Sequence, residues 1–270
     1  MHPFWLRLLL TCLLLAPGLS SAICSRTIRV PVAVAGLGVI AGKDAVAGGI
    51  YPDILRSIQA SGQCSFEIAL VPRARLELMF NTGGADLLIP ATRAPRRDSS
   101  GVFVPLIYSR AMLISLKGDH PPLHSVQGLL DQPSLKVVLV RGFTYGKAYD
   151  ELVAKLESLG RVWYEPDPLA VARTLATRPD CISIMVPSIL VGVIRADGRF
   201  THLLKKLRFE AIDELPWGDA GAYISTSSLS EPDRHALKSL LEEAVQTGLV
   251  RKKFLQYYGS DILDQGVRPR

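Results

Sequence analysis

Three arginines, Arg93, Arg96 and Arg97, fall within five residues of the stretch IPATRAPRR, Ile89 to Arg97. They follow directly on the apolar run Ala85, Leu87, Leu88 and Ile89, with a proline on either side. A corner that only turned the chain would favour Gly, Asn and Asp. A guanidinium instead offers parallel donors to a planar anion, and its charge-assisted pair with a carboxylate is strong and directional. The place just past a strand's C-terminal end is also where ligands collect in open α/β sheets. The stretch is therefore either part of an anion site or a solvated corner. Arg93 is divided between solvent and cleft, and Arg96 reads as a solvated side chain. Other chemistries have less support. His2, His120, His124, His202 and His235 lack metal-ligand spacing, and no Ser-His-Asp or Cys-His set stands out. Gly36 and Gly38 lack the third glycine of a dinucleotide loop. No catalytic residue, metal or cofactor is assigned.

The elements that must position this loop alternate short apolar strands with amphipathic helices, which implies an α/β fold with mainly parallel sheets. Strands are expected in IRVPVAV, FEIALV, ADLLIP, LKVVLV, RVWY, CISIMV and AGAYIST. Helices are expected over Pro52–Ala60, over Ala74–Asn81 with a stop at Gly83-Gly84, and over Lys147–Leu159. Others start at Pro168 with Asp167 as cap, at Pro187, and at Ser230. Pro31 lies inside the first strand, where its missing N–H implies a local irregularity. The economical topology is two α/β lobes with two crossings between them and a cleft at the junction.

With 270 residues, 48% of them hydrophobic, the chain is long enough for two such lobes. Arg7, the apolar run Leu8 to Leu15 and Ser20-Ser21-Ala22 have the layout of a cleaved export signal over residues 1–22. Its loss removes Arg7 from a formal charge of +6, leaving +6 − 1 = +5. The basic residues are scattered rather than gathered in a stripe, which argues against nucleic-acid binding. Cys24 and Cys64 each stand just before an expected strand. If those strands are parallel neighbours the two thiols are close enough to bridge in an oxidising compartment, the other reading being two unpaired small side chains. Cys181 reads as a small core residue.

Several pieces, in order, resemble one family. They are GGIYPDILRSI, VPRARLELMFNTGGADLLIPATRAPRR, VFVPLIYS, LVRGFTYGKAY and LLEEAVQTGLVRKKFLQYYG, spread over about Arg26 to Ile262. The family is that of the type II periplasmic solute-binding proteins, specifically the polar amino-acid binders of ABC importers. The resemblance implies two Rossmann-like lobes joined by a two-segment hinge. Its boundaries would be residues 23–111 for the first part of lobe 1, 112–218 for lobe 2, 219–265 for the return to lobe 1, and 266–270 for a C-terminal tail.

Carried over by residue, Arg97 matches the arginine that grips the ligand carboxylate, with Ala91 and Thr92 beside it. Arg73 falls where many relatives place an aromatic that covers the ligand, and reads equally as a partner for Glu77 or Asp98. Thr144 and Tyr145 match the lobe 2 turn that offers backbone N–H groups to the same carboxylate. Thr144 is also placed to cap the Lys147–Leu159 helix, whose amide end attracts negative charge. Two departures from the family stand out. Met185 and Val186 occupy the place of the aspartate that often holds the ligand ammonium, and AGLGVIAGKD lacks the usual stacking aromatic. A carboxylate without an ammonium is thus at least as good a ligand as an amino acid.

The resemblance implies a monomeric periplasmic protein that needs no cofactor, captures a carboxylate-bearing solute and docks transiently on an ABC transporter permease. The alternatives are a receptor-docking ligand sensor, or an enzyme on the same fold of cyclohexadienyl dehydratase type. The enzyme would need a cleft carboxylate, for which Glu210, Asp213, Glu214 and Asp219 are the candidates. Trp217 and Asp219 read first as packing at the second crossing.

Overall fold

The computed structural model describes residues 23–118, 120–258 and 266–270, so the expected export signal lies outside the described residues. The chain opens with β1 (Ile28–Val32), a small hairpin of β2 (Ile40–Ala41) and β3 (Ala47–Gly48), α1 (Ile50–Ala60), β4 (Phe66–Leu70) and α2 (Arg73–Asn81). It continues through β5 (Leu87–Thr92), a single turn α3 (Pro95–Asp98) and β6 (Gly101–Ser109). The next series is β7 (Met112–Leu116), α4 (Val126–Leu130), β8 (Lys136–Val140), α5 (Lys147–Ser158), β9 (Val162–Glu165), α6 (Pro168–Thr177), β10 (Cys181–Met185), α7 (Pro187–Asp197) and β11 (Leu207–Glu210). The last elements are β12 (Gly218–Ser225), α8 (Glu231–Gln246), α9 (Leu249–Tyr258) and β13 (Val267–Pro269).

Pairing sorts these strands into two lobes. β7 to β11 form one five-stranded sheet in the order β11-β7-β10-β8-β9. The other lobe holds the parallel pair β1-β4 and a four-stranded sheet in the order β13-β6-β12-β5. Pro31 explains why that lobe has two ladders. The Val32 carbonyl accepts from Val71 N–H beyond β4, so residue 31, one step earlier, faces the opposite edge, towards β5. Proline has no donor to give there. Contact on that side is made by Arg29 instead, whose carbonyl accepts from Asp86 N–H.

Buried Asp86 replaces the missing ladder. Its carboxylate accepts from Arg26 at 2.7 Å, from the Arg29 guanidinium at 2.8 Å and from the Arg29 backbone N–H. Burial raises its pKa, but the hydrogen bonds from Arg26 and Arg29 outweigh it and hold the carboxyl well below the usual range. Cys24 and Cys64 form a disulfide at the start of the β1-β4 pair, with Cα atoms 5.1 Å apart, so the bridged reading of these cysteines holds.

Two expectations shift. Residues 266–270 are not a loose tail: β13 extends the sheet of the first lobe by pairing with β6, Val267 opposite Ser109. Thr144 is not the cap of α5. The cap is Gly146, at φ 97°, a left-handed position that glycine reaches without a Cβ clash. Asp167 and Ser230 do cap α6 and α8, accepting from the N–H groups of Ala170 and Asp233.

The seam between the lobes is tight. A Cβ on Gly192 of α7 would lie 2.5 Å from the Leu37 nitrogen, and one on Gly36 would lie 2.7 Å from the Ile189 carbonyl oxygen. The glycines of AGLG therefore allow the loop after β1 to meet α7 backbone to backbone. The Tyr258 hydroxyl of α9 adds a hydrogen bond to the Ser188 carbonyl at 3.1 Å.

Candidate functional site

The arginine loop is the natural starting point, and its geometry is that of a structural knot. The Arg97 side chain is 1% exposed. Its Nε and Nη2 donate to the two oxygens of Glu77 at 3.0 and 2.7 Å, and Nη1 donates to the Thr92 carbonyl at 2.9 Å. Each nitrogen of the fork thus has a partner among the protein's own groups. Tyr223 closes the loop from the other side: its hydroxyl accepts from Ala94 N–H at 2.9 Å and donates to Asp98 at 2.8 Å. Burial raises the Glu77 pKa, but hydrogen bonds from Arg97 and Arg96 lower it further, for a net depression. Arg96 is half-exposed, 3.2 Å from Glu77 and 3.8 Å from Asp150 of α5, so it reaches across the lobe junction. Arg93 places its guanidinium 5.9 Å from the Phe103 ring centre.

A cavity of about 80 Å³ lies at the junction, and Arg97 is not among the residues lining it. The first lobe contributes Pro90, Ala91 and Thr92 from the end of β5, Arg73 from the first turn of α2, and Tyr51 from α1. It also contributes Ile107 and Ser109 from β6, Ala220 from β12, Phe254 and Tyr258 from α9, and Val267 from β13. The second lobe contributes Phe143, Thr144 and Tyr145 from the turn after β8, and Val186, Ser188 and Ile189 from the start of α7. Five of the six expected site residues, Ala91, Thr92, Arg73, Thr144 and Tyr145, therefore meet around one space.

Arg73 is the cation of this cavity. It is mostly buried, its guanidinium lies 5.0 Å from the Phe143 ring centre, and among the described residues it makes no hydrogen bond or ion pair. Desolvation pushes its pKa down to about 10, with the positive charge of Arg97 adding to the effect. An anion held beside it would oppose both by favouring the charged form. Arg73 also borders a second recess of about 280 Å³, shared with Arg141 and Asp167.

The polar lining is otherwise made of hydroxyls and amides. Thr144 is buried; its hydroxyl donates to Asp150 at 2.6 Å and accepts weakly from Gly146 N–H, which orders the turn ahead of α5. Among the described residues the N–H groups of Thr144 and Tyr145 donate to nothing. The Tyr145 hydroxyl is buried beside the Val186 backbone without a hydrogen-bond partner. Burial raises the pKa values of Tyr51 and Tyr145, and pushes Tyr258 up to about 12, so these phenols stay neutral near pH 7.

Among the described residues no Asp or Glu lines the cavity. Met185 is fully buried in β10, and Val186 next to it supplies an apolar wall. The four carboxylates considered for an enzyme lie elsewhere. Glu210 accepts from Leu123 N–H at 2.8 Å, Glu214 accepts from Val126 N–H at 3.1 Å, Asp213 is exposed 3.7 Å from Arg110, and Asp219 pairs with Arg270. Trp217 packs under Arg268, whose guanidinium is 4.2 Å from the ring centre. Among the described residues no three His, Cys, Asp or Glu side chains are grouped to hold a metal ion.

Sequence reasoning missed the aromatic contribution. The first loop indeed brings no aromatic, but Tyr51 reaches the cavity from α1, and Phe254 and Tyr258 reach it from α9. Their spacing in α9 is i, i+4, one helix face, which is indistinguishable from a core stripe until the cavity is visible.

No protein-family model matches the sequence, and no curated protein matches it. Solved structures do. EhuB in complex with hydroxyectoine is 18% identical with a TM-score of 0.69, the match covering 89% of this chain and 92% of that one. A substrate-binding protein of an ABC uptake transporter from Streptococcus pneumoniae, with bound histidine, is 12% identical with a TM-score of 0.70, covering 87% and 94%. A histidine kinase sensor domain similar to periplasmic binding proteins is 18% identical with a TM-score of 0.70, covering 91% and 98%. The chain thus has the two-lobed fold of periplasmic binding proteins.

Proposed function

We propose that this protein binds a small organic carboxylate that lacks an adjacent ammonium group, and presents it to an ABC importer after export from the cytoplasm. One observation carries the reading: among the described residues the interlobe cavity holds a guanidinium without an ion-pair partner, Arg73, and no carboxylate. An unpartnered, desolvated cation is costly, and a bound anion offsets that cost. A ligand ammonium would meet no counter-charge in the same space, which is worth several kcal/mol against it.

In this reading Arg73 grips the carboxylate from the first lobe, and the free N–H groups of Thr144 and Tyr145 take it from the second. Thr92, Ser109 and the Tyr145 hydroxyl offer further hydrogen bonds, while Ala91, Ile107, Val186 and Val267 cover an apolar body. With donors on both lobes, binding favours the closed arrangement. Arg97 is a positioning residue: by holding Glu77 and the Thr92 carbonyl it fixes α2, and hence Arg73, against β5. We assign residues 23–109, 218–258 and 266–270 to the first lobe, and 110–118 and 120–217 to the second.

Titration calorimetry tests this with pairs of acids that differ only in an α-amino group. The deaminated acid should bind at least about tenfold more tightly, a difference of roughly 1.4 kcal/mol, and mass spectrometry should recover it unchanged. Tighter binding of the amino acids would overturn the reading. The likeness to a kinase sensor domain favours one second reading, a ligand sensor that docks a membrane receptor. Restoration of solute uptake in a strain carrying only a candidate permease pair supports the importer role, and its failure beside a receptor response supports the sensor.

A further inference from the structure

We infer that the C-terminal strand β13 is a wall of the ligand site, and that Val267 sets the length of ligand the cavity accepts; this rests on the cavity being the ligand site. Val267 is buried and lines the cavity together with the lobe 2 residues Val186 and Ile189. β13 pairs with β6 in a fixed register, Val267 opposite Ser109, Arg268 opposite Tyr108 and Pro269 opposite Ile107. Ser109 and Ile107 themselves line the cavity.

Both ends of the strand are held. On the N-terminal side, Arg110 N–H donates to the Gly266 carbonyl at 2.9 Å, just where the chain first leaves the first lobe. Gly266 has φ +126°, and a Cβ there would lie 2.8 Å from Pro187 Cδ, at the start of α7. On the C-terminal side, Arg268 lies over Trp217 at 4.2 Å, Arg270 lies over Tyr108 at 4.0 Å, and Arg270 pairs with Asp219. Tyr108 and Trp217 sit at the two crossings between the lobes. The strand therefore touches both crossings and the first residues of α7, the helix whose start also lines the cavity. The side chain that it gives to the cavity, Val267, is β-branched, with little rotamer freedom to yield to a larger ligand.

The test uses the full chain and a panel of straight-chain solutes from two to eight carbons, each as monocarboxylate, primary amine and neutral amide. Binding is read by calorimetry for wild type, Val267→Ala and Val267→Trp, with circular dichroism and thermal melting to confirm the fold. Wild type should show a length cut-off. Val267→Ala should move it up by one or two carbons, with gains of roughly fourfold per added methylene, and Val267→Trp should abolish binding across the panel. An unchanged cut-off in folded Val267→Ala, or wild-type binding by folded Val267→Trp, would overturn the inference. Preference for amines or amides over acids would overturn the anion reading alone, since the cut-off still judges Val267. Binding of nothing in the panel by wild type would overturn both.

Discussion

Arg97 and Arg73 lie on one side of the same lobe and have opposite fates. Arg97 has a carboxylate, a carbonyl and almost no exposure. Arg73 has a phenyl face and, among the described residues, no acceptor, beside a cavity. Sequence alone ranks them the other way, because Arg97 sits in the more conspicuous run and matches a known binding position. The contrast teaches that an arginine's role depends on which acceptor reaches it first. Glu77, four residues past Arg73 on α2, points back at the loop and takes Arg97, leaving Arg73 without the partner that helical spacing would offer it.

This contrast can be broken in several ways. The largest effect on stability should come from Arg97→Ala, which strands Glu77 and frees the arginine loop. Equilibrium urea unfolding should show a loss of about 3 kcal/mol, and a loss below about 0.5 would mean the knot is not structural. The pH dependence of the same region has a defined sign. The Glu77 pKa is depressed in the folded protein, so its contribution is present above the unfolded carboxyl pKa and lost as pH falls through the folded one. Melting temperature should therefore drop below about pH 4.5, and Glu77→Gln should flatten that drop.

Arg73 should behave in the opposite sense. Its folded pKa is lowered to about 10, so its charge works against the folded state at neutral pH. Arg73→Met should stabilise the ligand-free protein by about 1 kcal/mol, after allowance for partial solvation, while costing ligand affinity. Destabilisation by this substitution would show that Arg73 has a structural partner. The smallest effect belongs to Arg96→Ala, whose half-exposed pairs with Glu77 and Asp150 should be worth at most about 0.5 kcal/mol in unfolding.

Much of the fold was legible before any coordinates. Helix starts at Pro168, Pro187 and Glu231 follow from prolines and capping side chains, and the cysteine pair follows from two adjacent parallel strands. Local rules carried those features because their causes are local. The site was legible as a set of places but not as a set of partners. Arg73, Thr92, Thr144 and Tyr145 do converge, yet nothing near Arg97 in sequence says that Glu77 will face it. Thr144 was misassigned as the cap because its hydroxyl chemistry outweighed the left-handed backbone that Gly146 supplies. Val267 was invisible for a similar reason: three residues near a chain end carry too little pattern to be read as a strand, and only β6 makes them one.

The central claim is that Arg73, not Arg97, receives the ligand. Arginine side-chain NMR tests it most directly, with the Nε–H signals assigned through Arg73→Lys and Arg97→Lys. On titration with a monocarboxylate that binds, the Arg73 signal should move downfield and exchange more slowly with water, because a carboxylate now accepts from it. The Arg97 signal, already hydrogen-bonded to Glu77, should stay where it is. A shift confined to Arg97, with Arg73 unmoved at saturation, would contradict the account.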